Sequence, residues 1–191
     1  DLIAGYDSAD QIQAFCANGG GKEMLQKLFD KFQPGVKVVG CGAYAREAFV
    51  SKVPINSVAD LKGVKVRSPE GLAAEVFKRA GAAPVSLPGS EVYTALEKGG
   101  IDAADTSAYA NGLHKIAKFP IFPGIHSTPI LQFTVSQSVW DQLTPAEQVA
   151  LETWYVAAYN DMRRVVDMVD RELVARDKAA GDLTIIDWPQ G

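Results

Sequence analysis

Apolar residues recur at helical spacing twice near the start of the chain and then give way to short alternating runs. The spacing predicts a helix over 10–17, capped by Ser8 or Asp10 and ended by Gly19-Gly20-Gly21. Met24, Leu25, Leu28, Phe29 and Phe32 predict a second amphipathic helix, broken by Pro34-Gly35. Val36-Lys37-Val38-Val39 reads as a strand. Ser57-Val58-Ala59-Asp60 has capping-box spacing and heads a short helical turn. Strand 64–67, helix 69–80 with a Gly81 stop, strand 84–87, helix 90–98 and strand 101–105 follow. This alternation predicts an α/β fold with a parallel-rich sheet.

The segment 106–133 breaks the rhythm. Pro120, Pro123 and Pro129 exclude a continuous helix beyond Phe119. Ile130 to Ser136 reads as a strand. Thr144-Pro145-Ala146-Glu147 then supplies a cap, an N1 proline and an N3 glutamate, and no breaker appears until Gly181. That predicts a helix of up to about 35 residues, ~50 Å long. Such a helix outruns a compact domain of this size, so it bridges two lobes or packs on another molecule. Its apolar set includes Val149, Leu151, Trp154, Tyr155, Met162, Val165, Val169, Leu173 and Val174.

Composition narrows the function class. The 191 residues, 47% hydrophobic and 22% charged, suit one medium domain or pieces of two. A net charge of −4 with no basic run or aromatic-basic interleaving argues against a nucleic-acid partner. No apolar stretch approaches the ~20 residues of a membrane span. Cys16 and Cys41 make no metal motif. They can pair in an oxidising compartment or sit as small buried thiols, and the thiol state is the expectation.

Arg67 is the strongest candidate for binding chemistry. Val64 and Val66 share one face of the predicted strand, Lys65 and Arg67 the other. Ser68-Pro69 resembles a cap and first helical residue. A guanidinium beside a helix start suits a small carboxylate, with a planar fork and backbone donors together. The competing expectation is a surface arginine paired with Glu70. Gly40-Cys41-Gly42-Ala43-Tyr44-Ala45 fits a dinucleotide-binding pattern. Asp60 lies before the second strand instead of at its end, so the ribose-binding acid is missing. His114 falls on a predicted helix face with Lys115 and Lys118, expected to be solvated, and His126 falls on a loop. Asp102 and Asp105 sit at opposite faces of a strand end and form no dyad; one is expected to cap a helix and one to line a site. No nucleophile elbow, phosphate loop or zinc spacing is present.

Asp60-Leu61-Lys62-Gly63-Val64-Lys65-Val66-Arg67-Ser68-Pro69 resembles a signature of solute-binding proteins of tripartite ATP-independent periplasmic (TRAP) transporters, the DctP-like family. Ala80-Gly81-Ala82-Ala83-Pro84-Val85 is similar to the family's next step. The run from Glu91-Val92-Tyr93 through Ala95-Leu96 to Gly100-Ile101-Asp102 resembles the one after it. Lys118-Phe119 and Trp140-Asp141-Gln142-Leu143 also match in order. Tyr6 to Phe32, the glycine run and Pro123-Gly124-Ile125-His126 place the resemblance nearest the branch that binds α-keto and hydroxy acids.

The resemblance implies a two-lobed venus-flytrap fold in which no bond is made or broken. It assigns 1–34 and 106–140 to lobe I, 35–105 to lobe II, and 141–191 to the long helix and a return to lobe II. It implies that Arg67 pairs with the ligand carboxylate and that Thr106, Asp105 and Tyr109 line the site. Tyr44, His126 and Ser127 are expected there as well. Ser127 stands where the keto-acid branch has a metal-binding glutamate, and Ala45 or Arg46 stands near its glutamine, so no bridging cation is expected. The implied partners are a small organic acid and the membrane permease, in the periplasm; the helix over 145–180 is also expected to support a homodimer. Family members carry further chain on both sides of these residues, so a fragment is expected. The competing expectations are a nucleotide-dependent oxidoreductase using Gly40–Ala45, and a dicarboxylate or sugar-acid binder of the same family.

Overall fold

The computed structural model describes residues 6, 8–44, 49–106, 109, 112–122, 124 and 129–188. The chain begins with α1 (Ala9–Asn18), α2 (Gly21–Phe32), β1 (Val36–Ala43) and β2 (Phe49–Ser51). A 3-10 turn (Val58–Leu61) leads to β3 (Lys65–Arg67), α3 (Leu72–Arg79), β4 (Ala83–Val85), α4 (Gly89–Glu97) and β5 (Ala103–Asp105). A second such turn (Leu113–Lys115) precedes β6 (Phe119–Ile121), β7 (Ile130–Ser136), α5 (Gln137–Trp140) and α6 (Pro145–Ala180). Two compact units result. A ribbon unit comprises the described parts of Tyr6–Ala45 and Thr128–Val166; a sheet unit comprises those of Arg46–Ser127 and Asp167–Gly191. The long helix contributes to both, up to Val166 in one and from Asp167 in the other.

The sheet unit has strand order β4-β3-β5-β2-β6. β3 runs parallel to β4 and β5, whereas β2 is antiparallel to β5 and β6. The sheet is therefore mixed, with its parallel part confined to three strands. Both faces are covered, and the alternation of each short strand splits its residues between two cores. Val50 and Ala104 join Val92, Leu96, Ile101, Leu113 and Val174 on one side. Phe49 and Ala103 join Leu61, Val66, Phe77 and Ile121 on the other. β2 and β6 carry no sequence signal because three residues are too few to show a period, and Pro120 is tolerated where β6 edges the sheet.

The ribbon unit rests on one antiparallel pair, β1 with β7, in register from Val36 opposite Ser136 to Ala43 opposite Ile130, with a bulge between Val38 and Gly40. Ser8 caps α1 by accepting from the Gln11 amide (3.3 Å). Gly20, at φ 82°, makes the left-handed joint between α1 and α2. The Gln26 side chain braces β1 twice, donating to the Val36 carbonyl (2.9 Å) and accepting from the Val38 amide (2.8 Å). Met24, Leu28 and Phe32, part of the stripe that predicts α2, are exposed. At the start of α6, Thr144 Oγ1 and the Thr144 amide both donate to Glu147 (2.8 Å each), which holds the Glu147 carboxyl below its ordinary pKa. Gly181 at φ 72° ends the helix.

Several expectations are corrected here. Cys16 and Cys41 form a disulfide that ties α1 to β1, and are not free thiols. The strand predicted at 36–39 continues through Gly40-Cys41-Gly42 to Ala43, because β7 supplies a partner for the whole length. α3 begins at Leu72 and not at Pro69: Gly71 at φ 85° cannot be helical, and Ser68 Oγ donates to the Pro69 carbonyl (2.9 Å) instead of capping amides. Within the ribbon unit β1 pairs with β7, and Tyr109, Leu113 and Ala117 belong to a core of the sheet unit.

Candidate functional site

β3, β4 and β5 run parallel, and their C-terminal ends lie side by side, the position where α/β sheets gather ligands. Arg67 is the last residue of the central strand of the three. Its guanidinium is half-buried and anchored at two points. Nε donates to the Leu87 carbonyl beyond β4 (3.2 Å), and Nη1 donates to the Asp105 carbonyl at the end of β5 (2.9 Å). A guanidinium has five N–H groups, so three remain, and these meet no acceptor among the described residues. The expected alternative pairing with Glu70 is not made; Glu70 accepts from Ser86 Oγ (2.8 Å).

The neighbouring aspartates do different jobs. Asp105 is fully buried and lends its carbonyl to Arg67. Asp102 caps no helix: its carboxylate accepts from the Lys65 amide (2.9 Å), and its backbone continues the sheet by donating to the Lys65 carbonyl (2.8 Å). Thr106, half-buried, follows Asp105 directly. The carbonyl of Leu87 was invisible to sequence reasoning, since a backbone acceptor has no residue signature.

Tyr109 lies deep in the sheet unit's core, 3% exposed, with its ring stacked on His114 (4.6 Å between centroids) and edge-on to Phe122. Burial, then the carboxylates of Asp177 and Asp170, push its hydroxyl up to about 12. His114 is buried and faces α6, not solvent as the lysine-rich helix face suggested; its Nε2 is 3.9 Å from Asp177 Oδ2. Tyr44 belongs to the ribbon unit, where it follows β1 and its amide donates to the Pro129 carbonyl (3.1 Å). His126, Ser127, Ala45 and Arg46 lie outside the described residues.

Gly40 and Gly42 serve packing. They share a face of β1 against α6, where a Cβ at Gly40 would overlap the Tyr155 ring and one at Gly42 the Tyr159 ring. Burial lifts the Tyr155 hydroxyl to about 12 and raises that of Tyr159 further. A phosphate-cradling glycine loop must turn into a helix. This segment is extended and paired, which overturns the oxidoreductase expectation. Among the described residues no group of acidic, histidine or cysteine side chains is arranged to hold a metal ion, and no helix is long and apolar enough to cross a membrane. The arrangement is suited to gripping an anion.

Comparison with known proteins agrees with that chemistry. The model of the family described as bacterial extracellular solute-binding protein, family 7 (DctP), matches residues 6–189. A monocarboxylate 2-oxoacid-binding periplasmic protein of Nostoc sp. is 35% identical over 182 residues, covering 91% of this chain and 49% of that protein. The 2,3-diketo-L-gulonate-binding periplasmic protein of Escherichia coli is 32% identical over 148 residues, covering 74% of this chain and 44% of its own length. A TRAP periplasmic solute-binding protein from Rhodobacter sphaeroides, in an open apo structure, superposes with TM-score 0.70 at 43% identity, covering 96% of this chain and 59% of that one. A TRAP solute-binding protein from Xanthobacter autotrophicus with bound β-D-galacturonate superposes with TM-score 0.82 at 25% identity, with coverages of 96% and 61%. The chain thus spans about half the length of the curated relatives it matches.

Proposed function

The chain belongs to the bacterial extracellular solute-binding proteins of family 7, and on that premise we propose that it captures a small organic acid, a 2-oxo or 2-hydroxy carboxylate, for a TRAP membrane permease. The carrying observation is the fork of Arg67, held by the carbonyls of Leu87 and Asp105, with three N–H groups that meet no acceptor among the described residues. Holding the fork in advance lowers the entropy lost on binding, and a partly buried guanidinium forms stronger charge-assisted bonds than a solvated one. Asp105, the second anchor, and Thr106, the residue after it, form the wall of the site in this reading. Tyr109, His126 and Ser127 are retained as candidate lining residues on the family resemblance alone.

The ligand leaves as it arrives. The protein works in the periplasm, as its named relatives do, and hands its cargo to the permease. A 2-oxoacid is favoured by the Nostoc relative. A sugar acid is the second reading, favoured by the galacturonate-bound structure, since it offers the same carboxylate beside an oxygen-bearing carbon. Val149, Trp154 and Val156 of α6 are exposed, in keeping with a homodimer through that helix, which light scattering on the eluting protein reads directly.

Calorimetric titration with pyruvate, lactate, C4–C6 oxo-acids and galacturonate tests the assignment. Saturable binding that Arg67→Ala removes while the fold persists is the expected result. Unchanged binding in the mutant excludes Arg67 as the anchor.

A further inference from the structure

Two loops leave the C-terminal ends of β3 and β4, and a side-chain bond clasps one to the other. Residues 68–71 link β3 to α3 and carry Glu70; residues 86–88 link β4 to α4 and carry the Leu87 carbonyl that accepts from Arg67 Nε (3.2 Å). Ser86 Oγ donates to Glu70 Oε1 (2.8 Å). The backbone pairing of the two strands reaches the Ser68 amide, which donates to the Val85 carbonyl (3.3 Å). The clasp therefore carries the pairing of β3 with β4 out of the sheet and up to the residue before Leu87. The Leu87 side chain packs against the core that holds Val92 and Leu96, and Pro88 restricts the residue before it to extended backbone. The two anchors of Arg67 differ in kind. Asp105 ends a strand paired on both sides, with β2 and with β3, so its carbonyl is set by the sheet. Leu87 sits on a loop, so its carbonyl needs a fastening of its own.

We propose that Glu70 is a positioning residue: through Ser86 it fixes the Leu87 carbonyl, and with it the plane of the Arg67 guanidinium, in the pose that receives a carboxylate. Glu70 serves here as an acceptor for the Ser86 hydroxyl and not as a counter-ion for the fork. An amide oxygen in the same place accepts the same proton, so glutamine can stand in for glutamate and alanine cannot. Without the clasp the Leu87 carbonyl shifts, the fork turns about its Asp105 anchor, and ligand binding has to order it again. The functional meaning of the clasp rests on the carboxylate-capture reading; its hold on the fork does not.

The experiment has a ligand-free arm and a ligand arm. In the ligand-free protein, NMR follows the Arg67 Nε–H resonance, identified by its loss in Arg67→Ala, and its rate of exchange with water. The expected result is that Glu70→Ala and Ser86→Ala move the resonance in the same direction and speed its exchange, while Glu70→Gln leaves both near the wild-type values. A bond that only stabilised the loops would lower the melting temperature and leave the resonance in place. In the ligand arm, pyruvate is titrated calorimetrically. Glu70→Ala and Ser86→Ala are each expected to weaken binding about fivefold, the factor for one net hydrogen bond, and the double variant no further than either alone. Glu70→Gln restores the affinity. Glu70 and Ser86 are both exposed, and either alanine variant gives the answer if the other fails to fold. An Arg67 resonance indifferent to the alanine variants overturns the proposal, and so do losses that add in the double variant. If pyruvate fails to bind the wild type while the resonance still answers to Glu70 and Ser86, the capture of this acid falls and the clasp stands.

Discussion

The two units solve the same stability problem with different means. The sheet unit has five strands and a core on each face. The ribbon unit has two strands, and a two-stranded sheet alone is marginal in water. It compensates with specific fastenings: the Cys16–Cys41 disulfide, the Gln26 brace on β1, the Lys22–Glu152 pair (2.6 Å), and the Tyr155 and Tyr159 rings laid on bare glycines. The comparison teaches that a layered sheet can spare a cation for binding at its strand ends. A ribbon spends its special residues on holding itself together.

Breaking a fastening should hurt the ribbon unit far more than the sheet unit. Replacing Cys16 and Cys41 by alanine opens a covalent loop of sequence separation 25. The chain-entropy model puts the cost at about 3.5 kcal/mol. Hydrogen exchange should show that loss in α1 and β1 and leave β3 to β5 protected. Equal loss in both units would erase the distinction.

Arg67→Ala makes the opposite cut. Loss of a charge-assisted contact of about 2.5 kcal/mol should weaken acid binding roughly 70-fold, with the melting temperature nearly unchanged. A large drop in stability would make Arg67 a structural brace of its two carbonyls.

Gly40→Ala should cost about 2 kcal/mol by forcing a methyl group into the Tyr155 ring. Adding Tyr155→Leu should restore part of it, as read by denaturant unfolding. Full additivity of the two changes would refute the contact.

The smallest effect belongs to Asp170 in the sheet unit. Its carboxyl is raised from 3.8 to about 6, chiefly by burial and then by Asp167. The folded state therefore holds this proton more tightly than the unfolded one. Its contribution is fully present below about 3.8 and is lost as pH rises through about 6. Asp170→Asn should flatten that part of the stability profile; an unaltered slope would place the titration elsewhere.

Local signals in the sequence had short reach and were sound within it. Ser8, the Ser57–Asp60 box, the Thr144–Glu147 box, Gly20 and Gly181 each act on amides or dihedral angles a few residues away, so α1, α6 and their ends were legible. β7 was legible over its whole length because it is seven residues long. The start of α3 was not, because the Ser68-Pro69 signal competes with Gly71 and with sheet pairing of Ser68 to Val85. His114 looked solvated from its neighbours and is buried by α6, more than sixty residues away in sequence. In the site, Arg67 was legible as a cation ending a strand. Its anchors were not, since both are carbonyls.

The chain's order of residues determined by itself where helices start and stop, which strand ends in a cation, and which family signature the run from Asp60 to Pro69 carries. Those features depend on contacts within a turn or two. Tertiary structure alone decided that Gly40-Cys41-Gly42 is strand and not loop, that the two cysteines meet, and that Arg67 is anchored by the carbonyls of Leu87 and Asp105. Each of these requires partners twenty or more residues distant, and only the folded chain brings them within bonding range.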